Sequence, residues 1–507
     1  MDFQSIALQA VLPSRQNERE SRGRTSRFAS TESLSTKAVL GSNNHMLPTR
    51  REVIRTGIAA AGLSIVAGTS TSCAAADAPG ASSKPATTKA TTKAATTQAN
   101  SRPGIGWIGN GGIARYKANF APRYGDVVAC CDVDKGHADS FNKEFGGEKA
   151  FVTKDYRKVL ERKDVDVVFI DTPDHWHAKI AADALRAGKD VYCEKPLTLT
   201  IDEGRKLCAV ARETARVFQV GTQQRSDERF QKMIALVHAG RIGKVRRVYA
   251  VIGDTPQKGR DFKTAAPPAD FDWDLWQGQS PRTAYIPERT HNTFRWWYEY
   301  SGGIMTDWGA HHCDIAQLAV APDLPGPTWI EPLEVEHPVP LVHGRAMIDN
   351  AYNTAIRFNV RVAFANGVEM FIRSHMKPFD FNAENGIRIE GDEGAIFADR
   401  FRVTGDAVDA MKDHPLPKDM TDRFVLGPME DVHHKHIQNF FDCVKSRKQP
   451  TSDVFSHTRN LTTCHLANIA MRLGRKLRWD ATAEEIVGDE EANSFQSRPQ
   501  RKGFEIA

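Results

Sequence analysis

Residues 102–114, Arg-Pro-Gly-Ile-Gly-Trp-Ile-Gly-Asn-Gly-Gly-Ile-Ala, run from a short apolar strand through a glycine cluster into a helix start. Within them, Gly109-x-Gly111-x-x-Ala114 sets three small residues at the spacing of a phosphate-cradling turn. The first glycine permits the turn, the second lets backbone N–H groups approach a pyrophosphate, and the small third residue lets helix and strand pack closely. Such a pattern is weak by itself, since a glycine turn followed by a solvated acid looks the same. Here Asp126-Val-Val-Ala-Cys-Cys-Asp132 supplies a second strand that ends in an acid 21 residues after Gly111. A carboxylate there accepts from a ribose 2′-hydroxyl and repels a 2′-phosphate, which favours NAD over NADP. The turn thus predicts cofactor contacts from Gly109, Asn110, Gly111, Gly112, Ile113, Ala114 and Asp132.

The alternation of strand and helix continues. Asp164–Asp171 reads as an apolar strand, followed by Thr172-Pro173-Asp174-His175-Trp176-His177 opening a helix to about Arg186. Lys189–Cys193 is the next strand, ending in Glu194-Lys195-Pro196, and Arg216–Gly221 follows a further helix. This order predicts a doubly wound parallel sheet, an α/β fold. Its ligands sit at the carboxyl ends of the strands, where Thr172-Pro173 and Glu194-Lys195-Pro196 fall.

Net charge is +5, but residues 1–100 hold 12 Lys+Arg against 6 acids, and the other 407 residues carry 56 basic and 57 acidic groups. The body from 101 onward is close to neutral, which argues against nucleic acid as a partner. Hydrophobic residues at 40% with 26% charged exclude a fibrous or wholly disordered chain, and some 400 structured residues imply two domains. Arg50-Arg51, the mild apolar run Gly57–Gly68 and Ala74-Ala75-Ala76 together read as a twin-arginine export signal. The apolar run is too short for a spanning helix; a basic amphipathic helix is the bland alternative. Met46 offers an alternative start, and Cys73 a poorly matched lipid-attachment site. Residues 77–100, almost entirely Ala, Thr, Ser, Lys and Pro, cannot build a core and predict a disordered linker. Seven cysteines follow Cys73 without a Cys-x-x-Cys pair, and no disulfide framework is expected.

Together with the glycine turn, Thr172-Pro173…His177 and Glu194-Lys195-Pro196, three further motifs extend the pattern: Asp272-Trp-Asp-Leu-Trp276, Phe294-Arg295-Trp296-Trp297 and Gly302-Gly303-Ile-Met-Thr-Asp307-Trp-Gly309-Ala-His311-His-Cys-Asp314. In this the chain resembles the Gfo/Idh/MocA family of oxidoreductases over roughly residues 103–480. The resemblance implies an N-terminal NAD(P)-binding Rossmann domain, then an α/β domain with a large open, mostly antiparallel sheet that often forms an oligomer interface. Ala355–Phe364 and Gly367–Arg373, joined through Ala365-Asn366, read as a hairpin of that sheet. The expected divisions are 1–76 N-terminal extension and signal, 77–100 linker, 101–225 Rossmann domain, 226–485 C-terminal domain and 486–507 tail.

Residue by residue, the resemblance implies catalytic roles for Lys195, Asp307 and His311, and cofactor contacts from Thr172, Pro173, His177, Glu194 and Lys195. Asp307 and His311, four apart, share one helical face, so that the carboxylate can orient or charge the imidazole. Either His311 or a desolvated Lys195 could take the hydroxyl proton of a secondary alcohol while hydride leaves for the nicotinamide, or Lys195 could stay charged and position the hydroxyl. A carbohydrate or polyol substrate fits the aromatic-rich stretch around Arg295, with Arg295 and Trp297 as candidate contacts. Of the two histidines after Pro173, His177 matches the family position better; capping and packing compete with ligand contact at both. Two histidine clusters, His311-His312 with Asp307 and Asp314 and His433-His434-x-His436, could supply metal ligands. Adjacent histidines on a helix point about 100° apart, and no metal is expected.

Export constrains the chemistry, because no free NAD pool is evident outside the cytoplasm. A protein folded before twin-arginine translocation can carry its cofactor, which predicts a tightly held, internally recycled NAD in a periplasmic enzyme. Alternatives are an NAD-dependent glycoside hydrolase working by transient sugar oxidation, from which Lys195 points away, and a non-catalytic sugar- or nucleotide-binding protein.

Overall fold

The computed structural model describes residues 102–253, 255, 259–375, 385–418, 420 and 431–506. The export signal, the linker over 77–100 and Cys73 lie outside the described residues.

Six strands form a parallel sheet: β1 (Gly104–Ile108), β2 (Asp126–Cys131), β3 (Phe151–Thr153), β4 (Val167–Ile170), β5 (Asp190–Cys193) and β6 (Phe218–Val220). Their order is β3-β2-β1-β4-β5-β6, with all neighbours parallel. Every residue of β1, β4 and β5 is buried. Both faces are covered, and a strand buried on both faces reads as a continuous apolar run instead of an alternation. The strand order reverses at β1/β4, so the ligand crevice of such a sheet opens at their carboxyl ends.

One cover comes from far along the chain. The helix Val432–Ser446 buries Ile437, Phe440, Phe441 and Cys443 against Ile105, Trp107, Phe169 and Tyr192 of the sheet. The Rossmann unit expected from residues 101–225 alone is therefore completed by a segment assigned to the second domain. An amphipathic stripe tells that a face is buried but not which core buries it.

The second sheet has nine strands. They are β7 (Val245–Val251), β8 (Pro327–Glu336), β11 (Arg357–Phe364), β12 (Glu369–Arg373), β13 (Gly386–Gly391), β14 (Ala395–Ala398), β15 (Val403–Thr404), β16 (Leu477–Asp480) and β17 (Glu485–Ile486). Two short strands, β9 (Leu341–Val342) and β10 (Arg345–Ala346), pair apart from it. The order is β15-β14-β13-β7-β12-β11-β8-β16-β17, antiparallel throughout except for the β12/β7 pair. The hairpin expected across Ala365-Asn366 is present, with Asn359 opposite Arg373 and Ala363 opposite Glu369. Phe358, Val360, Val362, Met370 and Ile372 are buried on one face, under the helices Gly309–Val320 and Val454–Leu473. The alternate residues Arg357, Asn359, Arg361, Glu369, Phe371 and Arg373 face the other way and are exposed or half-buried.

Residues 486–507, set apart above as a tail, belong to the packed body as far as 506. Ile486 pairs with Trp479, Ala492 and Ile506 are buried, and Phe504 packs edge-on against Trp176 at 5.8 Å. The seven described cysteines are buried and free. Among the described residues no helix is long and apolar enough to cross a membrane.

Candidate active site

The glycine turn closes as the fingerprint requires. Gly109 lies at φ +83°, and a Cβ there would stand 2.5 Å from the backbone of Asp171. A Cβ on Gly111 or Gly112 would meet nothing within 4 Å, so open space lies over the loop where a pyrophosphate needs it. Ala114 is fully buried beneath, and Ile113 is partly exposed at the helix start. The Asp132 carboxylate accepts from the backbone N–H of Asn110 at 2.7 Å and of Asp134 at 2.9 Å, which fixes it at the end of β2 beside the loop. Asn110 Oδ1 and Thr172 Oγ1 are buried without a hydrogen-bond partner among the described residues. Buried polar atoms are almost always paired, so these two, with the open space at Gly111 and Gly112, fit a polar ligand such as NAD.

At the end of β5 the Lys195 ammonium donates to Asp307 Oδ1 at 2.5 Å and to the Asp307 carbonyl at 3.1 Å. Arg295 Nε stands 3.8 Å from the same carboxylate oxygen. Burial pushes the Asp307 pKa up, but Lys195 and then Arg295 outweigh it and hold the carboxyl below its usual range. His311 is buried one turn further on, with Nδ1 unpartnered among the described residues. The expected Asp307–His311 contact does not form. The helix Ile304–Asp307 ends at Trp308 and a second begins at Gly309, while two cations claim the carboxylate. Desolvation, then the Lys195 charge, pushes the His311 pKa well below its ordinary value, so the ring is neutral.

Other expected residues are present but face elsewhere. Both ring nitrogens of His177 sit against backbone carbonyls, Pro196 O at 2.7 Å and Thr172 O at 2.8 Å. The ring ties the two turns together from behind, leaving neither nitrogen for a ligand. Glu194 is anchored inward: fully buried Lys117 bridges Glu194 Oε1 at 2.9 Å and Asp171 Oδ1, and Trp107 Nε1 donates to Asp171 Oδ2 at 2.7 Å. This triad locks the carboxyl ends of β4 and β5, and with them Thr172 and Lys195. Trp297 is fully buried, donates to Glu288 O at 2.7 Å and lies under the Arg289 guanidinium; it is core. Arg295 alone of the two candidate substrate contacts faces the site.

Two participants escaped the sequence reading. Asp174, the first residue of the helix Asp174–Arg186, is buried with Oδ2 unpartnered among the described residues. Burial pushes its carboxyl up to about 7, against the Ser301 side chain and the charges of Arg295 and Lys195. An acid directly after Thr-Pro was the signal available. Lys117 had none, because a lysine in a helix's second turn ordinarily faces water.

Among the described residues, neither weighed histidine cluster gathers metal ligands. His312 meets Gln224 at 3.2 Å and Asn385 at 2.6 Å, Asp314 holds Arg225 in a two-pronged pair at 2.6 and 2.7 Å, and His436 meets Ser226 and the Val220 carbonyl. A different trio, Asp134, His137 and His291, brings potential ligand atoms within 4.8 Å of one another beside the cofactor loop.

A model of the oxidoreductase family's NAD-binding Rossmann fold matches residues 104–222, and a model of its C-terminal alpha/beta domain matches residues 257–506. Scyllo-inositol 2-dehydrogenase (NAD(+)) of Bacillus subtilis is 25% identical over 362 residues, covering 70% of this chain and 89% of that protein. Myo-inositol 2-dehydrogenase of Thermotoga maritima is 24% identical over 357 residues, 68% of this chain and 89% of that one. Among solved structures, the aldose-aldose oxidoreductase of Caulobacter crescentus superposes with a TM-score of 0.53 at 17% identity, covering 74% of this chain and 99% of that one. Matched along both of its domains, the chain belongs to the Gfo/Idh/MocA family of NAD-binding oxidoreductases.

Proposed function

We propose that the protein is an exported dehydrogenase that oxidises a secondary alcohol of a sugar or polyol. The observation that carries this reading is the convergence of Lys195, Asp307, Arg295 and His311 at the crevice end of the Rossmann sheet. NAD, when bound over Gly109–Ala114 with its ribose at Asp132, supplies the hydride acceptor. Lys195, paired to Asp307, holds the substrate hydroxyl through its remaining N–H groups. Neutral His311 takes the hydroxyl proton, since a base must be unprotonated and no carboxylate among the described residues is paired with it. Thr172 and Pro173 line the cofactor side, with His177 and Glu194 holding their turns in place. The inositol dehydrogenases among the relatives support a polyol substrate.

The basic leader supports twin-arginine export to the periplasm and so a firmly held, internally recycled cofactor. The half-exposed outer face of the nine-stranded sheet is the surface we assign to homo-oligomer contact. A panel of sugars and polyols, followed at the absorbance of reduced nicotinamide and by product analysis, tests the chemistry. A dehydrogenase gives a net signal, a redox-assisted hydrolase gives product without one, and a pure binder gives neither. Mass spectrometry of the protein from the periplasm gives the processing site and the co-purifying nucleotide; denatured exported protein that releases no nucleotide would overturn the bound-cofactor reading.

A further inference from the structure

The turn after β14 places a cation beside the active site that no acid among the described residues claims. Asp399 Oδ1 accepts from the backbone N–H of Phe401 and Arg402, both at 2.7 Å, and Asp399 N donates to Arg402 O at 3.0 Å. This closes a tight turn with Arg400 inside it. The Arg400 guanidinium lies over the Trp308 ring at 4.4 Å, and Trp308 is the residue between Asp307 and the helix that carries His311. Among the described residues, Arg400 Nε is buried without a hydrogen-bond partner and Arg400 has no ion-pair partner. Three carboxylates, Asp307, Asp227 and Glu194, lie within electrostatic reach. Each is held by another cation: Asp307 by Lys195 at 2.5 Å, Asp227 by Arg229 at 2.6 Å and Glu194 by Lys117 at 2.9 Å.

Arginine does not shed its proton in proteins, and a half-buried charge left unpaired is costly. A planar guanidinium stacked on an aromatic face, with its Nε–H unpartnered among the described residues, is a receptor for an oxyanion. We infer that Arg400 receives an anionic oxygen group of the substrate, a carboxylate or a phosphate. On the dehydrogenase reading of this site, which the inference takes over, the substrate is then an acidic sugar and not a neutral one. Arg400 fixes that acid group over Trp308 while Lys195 and His311 address the hydroxyl.

The test compares D-glucuronate, D-galacturonate and D-glucose 6-phosphate with D-glucose and D-galactose. Binding is read by tryptophan fluorescence, turnover by nicotinamide reduction, and wild type is set beside Arg400→Gln and Arg400→Lys. The inference expects at least one anionic probe to bind tenfold or more tightly than its neutral counterpart. Arg400→Gln erases that preference and Arg400→Lys restores part of it. Whether the uronates or the phosphate respond identifies the anion. NAD affinity stays within twofold in both variants, and the melting temperature of Arg400→Gln does not fall, since the variant removes an uncompensated charge. Equal or better binding of neutral sugars, a preference that survives Arg400→Gln, or a loss of NAD affinity matching the loss of probe binding would each overturn it. Arg400-dependent binding of an acid without nicotinamide reduction would leave the inference standing and sink the dehydrogenase reading.

Discussion

Lys195 and Asp307 stand 112 residues apart in sequence, yet their ammonium and carboxylate meet at 2.5 Å where the two domains adjoin. Lys195 leaves the end of a parallel strand and Asp307 ends a one-turn helix of the second domain, so neither domain alone makes the pair. Removing one partner strands the other charge. Lys195→Met and Asp307→Asn should each lower kcat by roughly 10²–10⁴-fold with NAD affinity within a few-fold of wild type. Steady-state kinetics beside nucleotide titration checks this, and wild-type kcat in either variant would exclude the pair from the chemistry.

His311 should give a pH profile unlike that of a solvent histidine. Its pKa is pushed well below 6.5 by burial, so the neutral form persists as pH falls. Activity should stay level from pH 7.5 down through 6.5, where a free imidazole would already be half protonated. His311→Gln should reduce kcat by about 10²–10³-fold. A wild-type limb centred near 6.5 would assign the base to another group.

Gly109 and Gly111 should respond differently to alanine. At Gly109 the positive φ and the 2.5 Å approach to Asp171 forbid a Cβ, so Gly109→Ala should lower the melting temperature as well as NAD affinity. Gly111→Ala meets no protein atom within 4 Å, so the fold should persist while NAD binding weakens by about tenfold or more. Thermal melts and titration with NAD separate the two; unchanged NAD affinity in Gly111→Ala would move the pyrophosphate elsewhere.

The protein should lose stability as pH falls below about 6.5. Burial pushes His175, His312, His436 and His465 each down to about 3 in the folded state. Between pH 6.5 and 3 the unfolded chain therefore binds protons that these four refuse, and folding stability declines by about 1.4 kcal/mol per pH unit for each. Asp174 and Glu203, raised to about 7, work in the opposite direction below pH 7 because the folded state holds their protons. Four histidines outnumber two acids, so the net change is a loss. Urea midpoints at pH 7.5 and 5.5 measure it, and a midpoint that rises on acidification would contradict it.

Arg225 and Asp314 make a second bond between the domains, buried to 3% and 1% side-chain exposure. The Arg225 charge holds the Asp314 carboxyl far below its usual range although burial opposes this. Asp314→Asn leaves a buried guanidinium without its two-pronged partner, with only Asp453 at 4.0 Å, and should cost about 3–5 kcal/mol, read in a urea melt. Asp314 lies one turn beyond His311 on the same helix, so kcat should fall with it.

The glycine spacing and the strand periodicity made the Rossmann sheet and its cofactor loop legible in the chain itself, and the Glu-Lys-Pro and Asp-x-Gly-x-His motifs, through the family resemblance, pointed to Lys195, Asp307 and His311. Each is encoded in local spacing, and local spacing survives without a fold. Orientation is not local. His177 and Glu194 occupy the expected turns but point into them, because carbonyl oxygens and the buried Lys117 offer better partners than an open pocket. Trp297 lies in the core, Asp307 prefers Lys195 to His311, and the helix Val432–Ser446 covers a sheet more than 200 residues upstream. Asp174 and Arg400 gain their character only from what surrounds them, since desolvation and the pairing of neighbouring charges belong to assembled space. The chain's sequence by itself determined which chemical groups this protein has to use. Packing decided which of them face the substrate, which are spent on one another, and which charge is left to meet a ligand.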